Sequence, residues 1–217
     1  AGTDLANPPG GAGGSGIVVV RFIPSAPTIS SSAAVTGTTT YGQTLNSSTG
    51  SWNYGPTSYA YQWSRSATVG GTYTSIPSAI NNTYVLTASD VGQFLKVAVT
   101  ATNVVGSTTD TSAATAAISA ATSSTSVALV VGTLTFRTSK SLSATPTVAG
   151  KLTFRANNII IPGCKNLAAS ANVAKSCSYR PNTRGYVTIS VSLTPTDSGY
   201  ANSSAISGPY FVLQRSG

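Results

Sequence analysis

The stretch FLKVAVTATN, Phe94–Asn103, puts Leu95, Val97, Val99 and Ala101 at every second position, with Lys96, Ala98 and Thr100 between them. Period-two alternation is what a strand needs when one face is buried and the other meets water. The same rhythm runs outward from it in both directions. SYAYQW (Ser58–Trp63) sets Tyr59, Tyr61 and Trp63 on one face, and Ala60, Gln62 and the following Ser64 on the other. TLTFR aligns Leu134 with Phe136, and KLTFRA aligns Leu152 with Phe154. YVTISVSL aligns Val187, Ile189, Val191 and Leu193, while Arg137, Lys151 and Arg155 fall on outward positions. Turn-like NYGPTS (Asn53–Ser58) and VGGTY (Val69–Tyr73) separate such runs. Short strands with turns every ten residues or so predict an all-β sandwich fold rather than helices.

The 217 residues are enough for one large or two ordinary domains. Residues 1–23 form a glycine-rich lead and an apolar strand. Residues 24–119 begin at a Pro-rich joint, PSAPTISSS, and read as a first β domain. Residues 120–217 read as a second, after the weakly hydrophobic, exposed-looking joint SAATSSTSV (Ser119–Val127). The lead, GGAGGSGIVVVRF (Gly10–Phe22), is unusual because Ile17, Val18, Val19, Val20 and Phe22 do not alternate. Such a run wants burial on both faces, and it is a candidate for donation into a neighbouring sheet.

The absences bound the chemistry. The chain has no His and no Glu, and its acids are Asp4, Asp90, Asp110 and Asp197. Acid–base catalysis near neutral pH draws on His or tuned carboxylates, and glycoside hydrolysis needs two acids flanking one bond. A zinc site would lack His, two Cys alone do not close one, and the alternating acids of calcium loops are missing. The expectation is therefore a protein that is no enzyme and carries no metal or cofactor. Met is also absent, even at position 1, which reads as a chain processed or cut from a longer precursor. No apolar run is long enough to span a membrane as a helix.

From Pro56 to Ser107 the words Y-Q-W and T-Y-V-L-T-A-S-D-V-G-Q-F-L-K-V-A-V-T-A-T-N resemble a bacterial immunoglobulin-like repeat of large secreted surface proteins, of actinobacterial type. The second domain, with KLTFRANNIIIPGC, CSYRP and LTPTDSGYANSSA, resembles another such module, and GGSGIVVVRF resembles the end of the glycine-rich modules that precede them. The resemblance implies two tandem immunoglobulin-like β-sandwiches. It implies no single function, because such modules serve as spacers, adhesins and array subunits. The chain also departs from antibody domains. Asp90 and Gly92 match D-x-G-x-Y, but Phe94 lacks the corner hydroxyl and Lys96 stands where the second Cys would be. Trp63 is then expected to hold the first core by packing alone.

Cys164 and Cys177 bracket KNLAASANVAKS. A structural disulfide fits a secreted β protein; two free thiols or a redox pair are the alternatives, without C-x-x-C spacing. The charge is lopsided: nine of the twelve Lys and Arg lie beyond Ser119, where Asp197 is the one acid. Arg137, Lys151, Arg155, Arg180 and Arg184 make a candidate anion-binding face for an acidic glycan or cell-wall polymer. The plainer alternative is a solubilising surface. No groove-reading motif accompanies the charge, so specific nucleic-acid binding is not expected. Trp52, Tyr54 and Tyr73 fit edge packing better than a sugar platform. Asn46, Asn81 and Asn202 lie in N-x-S/T sequons that matter only in a glycosylating host. The sequence thus points to a non-catalytic extracellular, cell-surface protein: a subunit or fragment of a stalk, filament or array. It would pair with copies of itself or with neighbouring domains of one long protein. Alternatives are an adhesin or anionic-polymer binding module, and a virion tail-fibre decoration protein.

Overall fold

The computed structural model describes residues 24–129 and 133–214. The expected strand Ile17, Val18, Val19, Val20 and Phe22 lies outside the described residues. The N-terminal half carries β1 (Thr28–Ser31), β2 (Val35–Thr36), β3 (Thr44–Ser47), β4 (Ser51–Asn53), β5 (Ser58–Ser66), β6 (Thr74–Ser75), β7 (Thr83–Val85), β8 (Phe94–Thr102) and β9 (Ser107–Thr111). The C-terminal half carries β10 (Thr125–Leu129), β11 (Leu134–Thr135), β12 (Lys140–Pro146), β13 (Gly150–Ala156), β14 (Ile159–Ile160), β15 (Leu167–Ala169), β16 (Lys175–Tyr179), β17 (Gly185–Pro195) and β18 (Ser203–Leu213).

Each half makes two facing sheets by the same route. In the first, β2-β3-β7 faces β6-β5-β8-β9, and β1 pairs with β4 as a separate ribbon. In the second, β10-β12-β16 faces β11-β18-β17-β13-β14, with β15 also pairing β13. The chain changes sheet between β3 and β5, before β7 and again before β8. It repeats those moves between β12 and β13, before β16 and before β17. Strands of two sheets interleaved in this order, antiparallel except for the parallel β11–β18 pair, form an immunoglobulin-like sandwich. The described chain is two of them in tandem.

The alternation read from the sequence builds the cores. Leu95, Val97, Val99 and Ala101 on β8 are fully buried, as are Ile189, Val191 and Leu193 on β17. In the first sandwich they meet Leu45 of β3, Leu86 and Trp63 of β5. In the second, Leu152 and Phe154 of β13 meet Leu142 of β12 and Cys177 of β16. Trp63 does more than pack. Its Nε1–H donates to the Asn81 carbonyl at 2.9 Å and its ring stacks on Tyr84 at 5.8 Å.

Three parts of the pattern take a more definite form in the structure. Tyr59 is 39% exposed and Tyr61 half-buried, so burial along that face of β5 is complete only at Trp63. The first L-T-F-R is a two-residue strand that ends in a turn: Arg137 has φ 58° and Phe136 is half-buried. The joint after Ser119 is exposed at Ser119, Thr122 and Ser124 and is also hydrogen-bonded to both sandwiches.

Asp90 is the one buried acid of the first sandwich, fully shielded at the end of the turn Ala88–Asp90 that carries β7 into β8. Its Oδ2 accepts from the Thr87 N–H (2.8 Å), the Thr87 hydroxyl (2.7 Å) and Tyr84 (2.9 Å), and its Oδ1 pairs with Arg65 on β5 at 2.9 Å. Burial pushes the carboxyl pKa up, and these donors together outweigh burial and hold it below the usual range. The carboxylate thereby pins the sheet-changing connection to the central strand. Removing it with Asp90→Ala strands Arg65 and is expected to cost about 3–5 kcal/mol in chemical denaturation. Because the folded pKa is depressed, the charge contributes fully above the ordinary carboxylate pKa of about 4 and is lost as pH falls through the folded value. Asp90→Asn should therefore be less stable at neutral pH and flatter in acid unfolding than the native chain.

Candidate functional site

Two places bring polar and aromatic side chains together outside the cores: the joint between the sandwiches and one end of the C-terminal sandwich. The joint is built from backbone first. Thr40 bridges Ser119, with Tyr41 N–H donating to the Ser119 carbonyl at 2.9 Å. Two residues on, Ala121 bridges Tyr200, through Ala121 N–H to Gly199 O (2.8 Å) and Ala201 N–H to Ala121 O (2.9 Å). The connecting chain is thus stitched to a loop of each sandwich within three residues. Side chains then close the gap. The Tyr41 hydroxyl donates to Asp197 at 2.5 Å, and the Tyr41 ring meets Tyr200 edge-to-face at 5.3 Å. Gly199 is required here by close approach, since a Cβ would sit 2.5 Å from the Tyr41 ring. The hydrogen bond from Tyr41, with one from the Gly199 N–H, holds the Asp197 carboxyl below its ordinary pKa. The same bond to Asp197 raises that of Tyr41.

The disulfide expected from the sequence is present: Cys164 and Cys177 are bonded at 2.04 Å and both are buried. Cys177 belongs to β16 of the three-stranded sheet, while the Cys164 carbonyl accepts from Phe154 N–H on β13 of the other sheet. The bond therefore ties the two sheets across the core, through a loop that the sequence alone left unplaced.

The five cations of the expected face do not stay together. Arg137, Arg180 and Arg184 converge at one end of the second sandwich. Arg180 Nε donates to the Arg137 carbonyl at 2.8 Å, and Arg137 N–H donates to Pro181 O at 2.9 Å. The guanidinium carbons of Arg137 and Arg184 each lie 5.2 Å from the centre of the Phe136 ring. Arg155 lies apart on β13, half-buried, with Nη1 donating to Ser192 at 2.8 Å. Lys151 is exposed four residues back along β13, roughly 13 Å further at strand rise. Alternation put Arg137, Lys151 and Arg155 alike on outward positions but carried no information on which ends of which strands meet.

Beside the arginines is a cleft of about 620 Å³ between the β13–β14 hairpin and the β16–β17 loop. Ile159, Ile160 and Pro162 form one side; Tyr179, Arg180 and Asn182 form the other. Burial raises the Tyr179 pKa. Trp52 packs at an edge, its indole N–H donating to Thr49 O at 2.7 Å, while Tyr54 is exposed. Tyr73 lies under Lys96, 4.5 Å from the ammonium. Among the described residues no group of three or more His, Cys, Asp and Glu is arranged to hold a metal ion. No helix among them is long and apolar enough to cross a membrane.

No protein-family model matches the chain, and no curated protein is similar to it. Solved structures do resemble it. A bacterial ice-binding adhesin of 1.5 MDa, in a structure concerning its retention at the host cell surface, matches with 15% identity and TM-score 0.36 over 82% of this chain and 59% of that one. The ectodomain of mouse nectin-like molecule 4 matches with 12% identity and TM-score 0.33, over 88% and 66%. A Dscam structure concerning isoform specificity matches with 12% identity and TM-score 0.31, over 88% and 46%. The chain thus spans between about half and two thirds of these structures. At such values the likenesses carry no argument, and the fold rests on the strand order and the two cores.

The disulfide closes a separation of 13 residues. Cys164→Ser with Cys177→Ser is expected to lower stability by about 3 kcal/mol, read as a drop in thermal midpoint of the second sandwich. The intact mass of the native chain should rise by two hydrogens under denaturing reduction.

Proposed function

We propose that this chain is a non-catalytic extracellular structural module, a subunit or fragment of a stalk, filament or surface array built by a large secreted protein of bacterial immunoglobulin-like type. The observation that carries the reading is the stitched joint. Two domains on a free linker sample many angles and transmit little direction. Here the connecting chain is hydrogen-bonded to both sandwiches, and Tyr41, Asp197, Gly199 and Tyr200 lock the contact. A rod of such units holds its direction and passes load from one set of strand ladders to the next. The buried intersheet disulfide supports an oxidising, extracytoplasmic setting. The near-absence of acid–base side chains from the sequence fits a role without chemistry.

Copies of the chain would join by strand donation. Among the described residues β9 pairs on one side only, with β8, so its other edge offers backbone groups to a further strand. The apolar run Ile17–Phe22 of a neighbouring copy has the composition such an edge accepts.

Both parts are testable. Tyr41→Ala, or Gly199→Ala, which drives a methyl into the Tyr41 ring, should broaden the interdomain distance distribution in small-angle scattering while each sandwich keeps its melting temperature. The native joint should stay closed across the neutral range. It should loosen as pH falls through the depressed Asp197 pKa, and again as pH rises through the elevated Tyr41 pKa. Deleting residues 1–23 should abolish self-assembly seen by electron microscopy; assembly that survives the deletion rules out donation of that strand.

A further inference from the structure

We propose that the C-terminal sandwich binds an acidic polysaccharide, its acid groups on Arg137, Arg180 and Arg184 and a sugar ring against the neighbouring Tyr186–Phe211 pair. The proposal goes beyond the stalk reading and does not depend on it.

The arginines are gathered at a cost that an anion would relieve. Arg137 and Arg184 share one aromatic ring, and Arg180 is tied by its Nε to the backbone of Arg137. Like charges held this close repel one another. The one ion pair among the described residues, Arg65–Asp90, is in the other sandwich, and Asp197 is engaged by Tyr41 at the joint. Asp110 belongs to β9 of that same first sandwich, so no carboxylate among the described residues is paired with any of the three guanidinium groups. A solubilising surface would spread its cations apart; this one fixes them. The Nε anchor sets the plane of the Arg180 fork and leaves its terminal nitrogens for a planar carboxylate or a sulfate.

The apolar partner for the sugar is alongside. Tyr186, two residues after Arg184, is 71% exposed, and Phe211, its partner across the β17–β18 ladder, is 51% exposed. Their rings meet edge-to-face at 5.3 Å on the solvent side of the sheet, outside the core. An exposed aromatic face attracts the polarised C–H groups of a pyranose through its negative quadrupole. The interplanar angle of 68° does not offer the successive parallel faces on which bases of a single strand stack, which favours glycan over nucleic acid. The cleft extends the site. Arg180 lines it, and Asn157 on its wall accepts from Thr188 N–H at 2.8 Å, one strand position on the same face from Tyr186. Its volume is that of a small-ligand site, with room for the next residue of a chain.

The test is binding of the full chain to immobilised polygalacturonate (carboxylate), dextran sulfate (sulfate) and neutral dextran, at about 50 and about 300 mM salt. Binding to one or both acidic polymers, weakened by salt and absent with neutral dextran, is expected; which polymer binds identifies the acid group. Arg184→Gln, which leaves the Arg180–Arg137 hydrogen bond in place, should weaken binding about tenfold. Tyr186→Ala with Phe211→Ala should weaken polysaccharide binding while leaving binding of inorganic polyphosphate unchanged. Lys151→Gln with Lys165→Gln should leave all of it unchanged, and melting temperatures show that every variant is folded. Equal loss in the lysine variant, or none in Arg184→Gln, overturns the site. Indifference to the aromatic double variant overturns the sugar contact. Tighter binding of single-stranded DNA or of phosphatidylglycerol vesicles than of either polysaccharide overturns the ligand class.

Discussion

Everything in this molecule depends on two strands that alternate without error, β8 and β17. Each sits in the interior of its sheet and turns a continuous row of Leu, Val, Ile or Ala toward the facing sheet. A slip of one residue would turn each row to water, so the pairing of β5 with β8 and of β13 with β17 is fixed by the pattern itself. Around these rows the sheet-changing connections are then held by single polar devices. Asp90 fastens one crossover in the first sandwich, and the disulfide joins the two sheets in the second.

Charge is scarce, and two of the three described acids, Asp90 and Asp197, have identifiable tasks. Asp90 is buried among donors that keep it ionised, and Asp197 holds the Tyr41 hydroxyl at the joint. The cations of the second sandwich have no comparable set of acids; two of them, Arg137 and Arg184, flank Phe136, and Arg180 is tied to the Arg137 backbone. The same sparseness of acids thus leaves one strongly unbalanced surface. A tandem of sandwiches hydrogen-bonded through its joint and an exposed basic, aromatic end are compatible properties.

Much of the fold was legible because alternation is local. Leu95 to Ala101, Leu152 with Phe154, and Val187 to Leu193 are buried as their spacing predicts. Tyr59 shares the face of Trp63 yet is exposed, while Ala101 opposite it on β8 is buried, a difference that no pattern within β5 records. The attachments of the joint left no mark for a related reason: Ser, Thr and Ala look like linker, but backbone hydrogen bonds to Tyr41 and Gly199 use no side chain that would mark them. Asp90 carried a faint signal in the Thr87-x-x-Asp90 spacing, which suits a turn whose side chain returns to the backbone. The arginine cluster had none, since Arg137 meets Arg180 and Arg184 only after β11 and the β16–β17 loop arrive at one end of the sandwich.

The central claim is that the two sandwiches move as one body through the joint. Residual dipolar couplings of the isotopically labelled chain, collected for both sandwiches in one alignment medium, test it most directly. The account predicts a single alignment tensor, the same in magnitude and axes for the β1–β9 and β10–β18 sandwiches. Tensors of clearly different magnitude would mean independent motion, and would contradict it.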